Sequence, residues 1–534
     1  MRERGEGAPP RRVNPWLAGA AVLAFVLLNG LTLGPGHPAG GDFAQYIIHA
    51  KNLLAGLPYH HGILIKPVSF HNYPPGFPVM LAPLLAWGGL NLVLLKSLNL
   101  LFWPLACWAL AAIARRRLGQ PTAFYVFLFM LFCPWFFLFK QNILSDVPFT
   151  FLVTAALWAF LHWQDAGPRQ GAWLGLFLAC AAASLLVRSA GAALVGAALL
   201  VMIFQRRAWG AAALTVAVAL AAVALQKAMG AGTGGYFALL HDPLSWFSKV
   251  ALGLPAKLAK AVGFFFPVYR SGHPLVAGLE AVAVLPLLAM AAWGWWRRRR
   301  RLGGWDVLDA FLVLYLLMIL AWPFIEGPRF YAPVAGLFLL YFLEGLAEFF
   351  QGRRLPLGMK PRRLLHLVLL AGLALNLGNT ALLLNYNGDV VARPADRQLY
   401  AWLGSHARPG QTYLYAYPRV LALFSGQVGD KYYWNQPLAP QRRRMAQRGV
   451  RWLVLPKPAH DQKNPSARKQ FSWLFFRRKL PPSAIAQADA DPGLVLVWQN
   501  QGYRVYGLSN VKGGKSRETG AGRGGGTINR EGNR

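Results

Sequence analysis

One carboxylate opens the reading. Gly40-Gly41-Asp42-Phe43-Ala44-Gln45-Tyr46 places Asp42 a few residues beyond an apolar segment and directly before an amphipathic run. An acid there is well placed to act on a membrane-bound substrate. The plainer alternative is a helix cap, worth about 1 kcal/mol. Further on, the prolines of His71-Asn72-Tyr73-Pro74-Pro75-Gly76-Phe77-Pro78 fix an extended approach to a short apolar segment. His60, His61, Lys66 and His71 share this loop; three histidines could ligate a metal, but no spacing favours one. Asp146 stands in Asn142-Ile143-Leu144-Ser145-Asp146-Val147-Pro148, where a turn or N-cap role is the simple reading. Arg188 lies in an apolar hairpin, 173–204, with no acidic neighbour in sequence. An ionisable group in such a setting points to a functional site, and an arginine snorkelling at a helix end explains it equally well. Tyr269-Arg270 ends a second long loop, and Arg329 belongs to Glu326-Gly327-Pro328-Arg329-Phe330-Tyr331-Ala332-Pro333. Arg188, Arg270 and Arg329 fall on the same expected side as Asp42. Together they could hold a phosphate, because a guanidinium fork matches phosphate oxygens; separately, each could be an interfacial anchor.

The elements that position these residues are mostly apolar. Of 534 residues, 55% are hydrophobic and 14% charged, against about 25% charged in soluble domains. That composition excludes a disordered chain and disfavours a soluble enzyme. The net charge of +35 leaves a multi-pass membrane protein or a nucleic-acid binder. Charge placement favours the membrane. Apolar stretches long enough to span a bilayer, or nearly so, occur near 16–33, 91–113, 121–139, 147–163, 171–187, 190–205, 208–228, 275–296, 305–325, 331–350 and 364–385, eleven in all. The first reads as an anchor rather than a cleaved signal. With the N-terminus inside, every large basic cluster falls in the cytoplasm: Arg115 to Arg117, Arg169, Arg206-Arg207, Arg297 to Arg301, and Arg353 through Arg363. The C-terminus is then outside, and no nucleic acid is needed to explain the charge. Glu280 falls inside the eighth stretch, where it could pair with a neighbouring span.

The resulting expectation is a mainly α polytopic membrane protein of about eleven transmembrane helices with a small C-terminal α/β extracytoplasmic domain. Residues 1–14 form a cytoplasmic N-terminus. Residues 15–386 form the transmembrane domain, with large outside loops at 34–90 and 229–274. Asp42–Leu57 fits a surface amphipathic helix, and 77–88 a re-entrant or interfacial one. Residues 387–510 form the outside domain, with strands at Thr412–Tyr417, Val450–Leu455, Leu494–Gln499 and Tyr503–Leu508 and helices at 394–406 and 438–448. Residues 511–534 are a basic tail of disordered composition. Cys107, Cys133 and Cys180 all fall in apolar stretches and offer neither a disulfide framework nor a CxxC site. No P-loop, dinucleotide fingerprint or HExxH is present. No internal repeat is visible, so the inverted halves of many transporters are not supported.

The set Gly41-Asp42-Phe43-Ala44-Gln45-Tyr46, Tyr73-Pro74-Pro75-Gly76-Phe77-Pro78, Ser145-Asp146-Val147-Pro148 and Arg329-Phe330-Tyr331-Ala332-Pro333, in this order and topology, resembles the GT-C superfamily of polytopic glycosyltransferases. The likeness is to bacterial protein O-mannosyltransferases and aminoarabinose lipid A transferases. It implies an inverting transfer of a hexose or pentose from a polyprenyl-phosphate carrier, outside the bacterial inner membrane, to a lipid, glycan or protein acceptor. It implies that Asp42 is the catalytic base and Asp146 a catalytic support residue. It extends the expected substrate-binding set to Tyr46, Lys66, His71, Tyr73, Arg188, Arg270, Arg329 and Tyr331. No cofactor is certain; a divalent metal is left open but is not supported by ligand spacing. Two departures bear on specificity. Protein O-mannosyltransferases carry an acidic pair where this chain has Asp42-Phe43, and aminoarabinose transferases carry Glu-Lys before Pro-Pro where it has Asn72-Tyr73. The rival readings are a lipid or polysaccharide transporter or flippase, which would place polar groups along a mid-membrane path, and a non-enzymatic membrane scaffold.

Overall fold

A computed structural model describes residues 14–37, 40–63, 73–165, 169–231, 242–265, 274–324, 328–351, 361–384, 391–406, 412–433, 436–457 and 483–509. Each of the eleven expected apolar stretches is helical over most of its described residues, with 121–139 interrupted between Leu131 and Pro134. Among the described residues, seven helices are long and apolar enough to cross a membrane: Leu92–Leu118, Gln120–Phe139, Asp146–Gln164, Gln170–Val187, Trp209–Ala228, Arg329–Phe349 and Pro361–Ala381. Pro15–Leu31, Gly191–Gln205 and Val307–Ala321 are shorter apolar helices. The eighth stretch lies within a 29-residue helix, Pro274–Leu302, that holds Glu280. A further helix, Pro243–Phe265, occupies much of the second long loop.

The site is built by a few of these elements. α1 (Pro15–Leu31) starts at Asn14, whose side chain accepts the Trp16 amide N–H. α2 (Asp42–Leu54) and α3 (Gly76–Gly88) follow in the first loop and pack on each other. α2 is not a surface helix, because Phe43 through Ala50 are all buried. Nor does Asp42 cap it. Gly41 is the N-cap, with no side-chain cap bond, and Asp42 is the first helical residue. α4 (Leu92–Leu118), α5 (Gln120–Leu131), α6 (Pro134–Phe139), α7 (Asp146–Gln164) and α8 (Gln170–Val187) form the heart of the bundle. α7 is the most buried of the seven long helices; it packs on α4 and α8 and starts at Asp146.

At about 1.5 Å per residue, the 19 residues of α7 separate two polar clusters by nearly 30 Å. Asp146 marks one. At the other end Arg116 donates to the Leu161 carbonyl (2.9 Å) and pairs with Asp165. Nearby Arg117 and Arg298 converge on Asp306 (2.6 and 3.1 Å) and on Glu344 (3.6 and 3.5 Å). Asp306 also caps the helix Val307–Ala321 in a reciprocal capping box with Asp309.

The C-terminal region forms a mixed five-stranded sheet of order β2-β1-β3-β5-β4. Its strands are β1 (Thr412–Tyr415), β2 (Gly429–Lys431), β3 (Val450–Pro456), β4 (Leu494–Gln499) and β5 (Tyr503–Leu508). β1 is parallel to β2 and β3; β5 runs antiparallel to β3 and β4. The four strands expected from sequence appear at or near their expected bounds. β2 was not expected, nor were the helices Pro418–Ser425 and Ser483–Ala490. Pro418–Ser425 packs directly on α2, and its Val420, Leu421, Ala422 and Leu423 join the core that runs through the helical bundle.

Candidate active site

Asp42 reaches its position through two buried lysines. Lys96 of α4 donates to the carbonyls of Gly34 (2.6 Å) and Gly36 and to Gln141 Oε1 (3.3 Å). Lys140 donates to the Asn29 carbonyl (3.3 Å) and the Thr32 hydroxyl at the end of α1. The chain leaving α1 is thereby tied to the segment before α7. His37 accepts the Ile143 amide N–H (2.9 Å) and stacks on Phe43, ring centres 3.7 Å apart. These contacts set the start of α2 beside the start of α7.

Asp42 and Asp146 therefore meet at one end of the bundle. The Asp42 carboxylate accepts the Tyr73 hydroxyl on Oδ1 (2.8 Å) and Arg329 Nη2 on Oδ2 (2.9 Å). Arg419 Nη1 stands 3.6 Å from Oδ1. Arg329 also reaches towards Asp146 Oδ2, at 3.8 Å, and so lies between the two acids. Arg188 Nη1 donates to Asp146 Oδ1 (2.7 Å) and approaches the Ser145 hydroxyl (3.3 Å), while its guanidinium lies 4.7 Å above the Phe330 ring. The snorkelling alternative for Arg188, at the end of α8, is thus replaced by a salt bridge to the start of the preceding helix α7, and Asp146 makes no cap bond. Tyr46 hydrogen-bonds Ser145 (3.0 Å) and stacks on Tyr73 at 4.8 Å.

Local backbone explains how these side chains converge. Tyr59 donates to the carbonyls of Tyr73 (2.9 Å) and Pro74 (3.3 Å), which orders the approach to α3. Gly76 then lets α3 touch the end of α8. A Cβ there would lie 2.7 Å from the Leu186 carbonyl carbon and 2.8 Å from its oxygen. Arg188 follows as the residue ending α8. On α2, one helical face presents Asp42, Gln45 and His49. His49 Nδ1 meets the Tyr59 carbonyl at 2.6 Å, and Gln45 Nε2 meets His49 Nε2 at 3.0 Å. Burial pushes His49 down to about 4, so it is neutral near pH 7, with its proton on Nδ1 facing the carbonyl.

The electrostatics separate the Asp42 carboxyl from its neighbours. Burial alone would raise Asp42. The Arg329 and Arg419 guanidiniums, with the Arg329 and Tyr73 hydrogen bonds, outweigh it and hold the carboxyl well below the usual range. Burial also raises the Tyr46 and Tyr73 hydroxyls, leaving both as neutral hydrogen-bonding groups. The cluster offers an ionised carboxylate, a second carboxylate and three guanidiniums where α2 and α7 begin and α8 ends. That set suits proton abstraction from a hydroxyl beside an anion.

The structure thus brings together Asp42, Asp146, Tyr46, Tyr73, Arg188 and Arg329. The Tyr331 hydroxyl donates to the Lys257 carbonyl (3.0 Å). Lys66, His71 and Arg270 fall outside the described residues. So does the side chain of Glu280. Among the described residues no three His, Cys, Asp or Glu side chains are grouped to hold a metal. Arg419 was missed by the sequence reading. It stands far along the chain on the eight-residue helix Pro418–Ser425, and Tyr417-Pro418-Arg419 carries no distinctive motif. Its side chain packs over Gly41, with Cδ 3.5 Å from where a Cβ would be.

Comparison with known proteins follows from this geometry. Residues 72–227 match the family model of dolichyl-phosphate-mannose-protein mannosyltransferase. The matched stretch contains Tyr73, Asp146 and Arg188; Asp42, Arg329 and Arg419 lie outside it. No curated protein matches the chain significantly. Among solved structures, the Archaeoglobus fulgidus oligosaccharyltransferase in complex with Zn and sulfate superposes with a TM-score of 0.56 at 12% identity, over 86% of this chain and 69% of that one. The archaeal oligosaccharyltransferase AglB from the same organism, in complex with an inhibitory peptide and a dolichol-phosphate, gives 0.55 at 11% identity, over 86% and 71%. ArnT from Cupriavidus metallidurans bound to undecaprenyl phosphate aligns over 94% of this chain and 100% of its own, with a TM-score of 0.48 at 15% identity. The oligosaccharyltransferases share the fold. The family match covers under a third of the chain, and over that stretch the sequence is similar to the dolichyl-phosphate-mannose-protein mannosyltransferases.

Proposed function

We propose that this chain is a glycosyltransferase that moves a sugar from a polyprenyl-phosphate carrier to a hydroxyl acceptor on the outside face of a bacterial inner membrane, with inversion. The observation that carries the reading is Arg329 lying between Asp42 and Asp146, with Arg188 on the far side of Asp146. A glycosyl phosphate needs its leaving group stabilised by cations more than protonated, and the acceptor needs a base within hydrogen-bond reach. Asp42 takes the acceptor proton as the acceptor oxygen forms its bond to the anomeric carbon. The bond from that carbon to the phosphate oxygen breaks, and its electron pair leaves with the polyprenyl phosphate. Arg188 and Arg329 hold the phosphate. Asp146 keeps Arg188 and Arg329 in place, and Tyr46 and Tyr73 fix the base.

The two polar clusters at opposite ends of α7 support the orientation. The arginine-rich end suits the cytoplasm, which puts Asp42 and the sheet domain outside. The likeness to a structure solved with dolichol-phosphate supports a lipid-phosphate carrier. Residues 387–534 contain 24 Lys plus Arg and 8 Asp plus Glu, a net +16 that orientation does not require. This charge favours anionic headgroups or an acidic glycan acceptor as the domain's contact.

The test is transfer by purified protein in lipid nanodiscs. The probes are synthetic polyprenyl-phosphate mannose and aminoarabinose, with the anomeric configuration of the product read by NMR. An inverted glycoside is expected from at least one donor. A retained configuration, or no transfer from any polyprenyl-phosphate sugar with lipid, glycan and peptide acceptors, contradicts the proposal.

A further inference from the structure

The base of the proposed reaction is not free. Asp42 is held on both oxygens, by Arg329 and Tyr73 through hydrogen bonds and by Arg419 through charge. A carboxylate so engaged is a poor proton acceptor until a guanidinium leaves it. Of its two guanidiniums, Arg419 is the more loosely held. It stands 3.6 Å from Oδ1 without a hydrogen bond, and its Nη1 is buried with no hydrogen-bond partner among the described residues. An unmet donor on a largely buried guanidinium, 12% exposed, suits an acceptor oxygen that is not part of the resting protein.

Charge points to the kind of acceptor. Among the described residues the cluster sets three guanidiniums, Arg188, Arg329 and Arg419, against two carboxylates, Asp42 and Asp146. With His49 neutral, it lacks one negative charge. A glycosyl phosphodiester carries one. After transfer the leaving phosphate monoester has gained a second negative charge while the acceptor proton has neutralised Asp42, so the filled site stays balanced on both sides of the reaction.

Arg419 also comes from a different part of the chain. It sits on the helix Pro418–Ser425 of the C-terminal region, which rests on α2. Any movement of Arg419 off Asp42 is therefore coupled to how that helix lies on α2.

We propose that Arg419 is a donor-phosphate ligand that exchanges from Asp42 to the phosphate, so that the C-terminal region releases the base only when the donor is bound. This rests on the reading of Asp42 as the base and of a phosphate-bearing donor. It gives the C-terminal region a part in the chemical site and orders the reaction, donor before acceptor. It also prevents an unloaded site from presenting a free base.

The exchange makes a prediction that a fixed phosphate contact does not. If Asp42 competes with phosphate for Arg419, removing the Asp42 charge must tighten phosphate binding. The experiment titrates undecaprenyl phosphate into full-length wild type, Asp42→Asn, Arg419→Gln and the double variant in nanodiscs, with sugar transfer measured in parallel. Asp42→Asn is expected to abolish transfer and to bind undecaprenyl phosphate on the order of tenfold more tightly than wild type, within the usual span of coupling between sites. In the Arg419→Gln background the tightening shrinks to the share due to Arg329. Arg419→Gln alone weakens lipid-phosphate binding severalfold, and Arg419→Lys restores part of it, which also shows that the position tolerates substitution. Asp42→Asn that binds no more tightly than wild type, or the same tightening with and without Arg419, overturns the exchange even if transfer still requires Asp42. Undiminished transfer by Asp42→Asn overturns the underlying reading instead.

Discussion

Gly76→Ala tests whether backbone contact between α3 and α8 sets the site. The new Cβ would lie 2.7 Å from the Leu186 carbonyl carbon, 2.8 Å from its oxygen and 3.0 Å from the Val187 nitrogen. All three are main-chain atoms, so no rotamer change can relieve the clash. Ordinary contact begins at 3.4 Å, which requires the two backbones to separate by 3.4 minus 2.7, or 0.7 Å. Arg188 is two residues beyond Leu186, and its Nη1 lies 2.7 Å from Asp146 Oδ1. If the helix end carries the shift, that bond stretches to about 3.4 Å, past the normal hydrogen-bond range. Overpacking of this kind costs about 1–3 kcal/mol, and a displacement near 1 Å in a positioned site costs up to about 100-fold in rate. Thermal unfolding of purified protein and kcat at saturating donor measure the two effects. Gly175→Ala is the control, because it lies in the same α8 with open space around its Cβ position. Gly76→Ala should lose both stability and kcat, and Gly175→Ala neither. Indistinguishable stability and kcat for the two variants would refute the reasoning.

Other outcomes follow from single contacts. Tyr73→Phe removes the hydroxyl 2.8 Å from Asp42 while leaving the ring on Tyr46; a charged hydrogen bond is worth about 1.5–3 kcal/mol, so kcat should fall by roughly tenfold or more with little change in unfolding temperature. Arg117→Met leaves Asp306 and Glu344 without one of their two arginines at the opposite end of the bundle. Breaking such a buried network costs about 3–5 kcal/mol, and thermal unfolding should show a large loss without a selective effect on donor KM. The pH dependence has a defined sign. Asp42 is held below the ordinary carboxylate range, so its pairing is complete above that range and is lost only as pH falls through the lowered folded value. Wild-type kcat/KM should therefore show no acid limb from Asp42 near pH 4 to 5. Arg329→Gln removes the strongest attractive charge and lets burial dominate, which should move an Asp42 limb upward into the measurable range; pH–rate profiles of the two proteins check this.

Much of the site was legible because carboxylates in apolar chains are conspicuous. Asp42 before an amphipathic run and Asp146 before a span both stood out, and both sit in the cluster. Their roles within the helices did not follow from spacing. A first-turn acid reads as a cap, and only the approach of Arg329 and Arg188, from 287 and 42 residues away, engages these carboxylates instead. Arg188 itself was ambiguous, since salt-bridge and snorkelling arginines have the same local sequence. Neither Lys96 nor Lys140 was singled out in the sequence. Their wrapping of loop carbonyls depends on where α1 ends relative to α7, which hydropathy does not encode. Arg419 was invisible for a related reason. Its short helix directly follows a strand, and nothing local says that this helix rests on α2. The three-residue strand β2 was missed because Gly429-Asp430-Lys431 has no strand composition; it forms where Gly429 lies flat against the Tyr413 ring.

The role of Asp42 is most directly tested by single-turnover transfer with purified Asp42→Asn in nanodiscs, preloaded with a polyprenyl-phosphate sugar that wild type uses. The asparagine keeps the size of the side chain and its contact with Tyr73 but cannot take the acceptor proton. The expected result is a transfer rate lower by at least about 100-fold, as for loss of a general base, with lipid-phosphate binding retained. Transfer at the wild-type rate would contradict the assignment of Asp42 as the base.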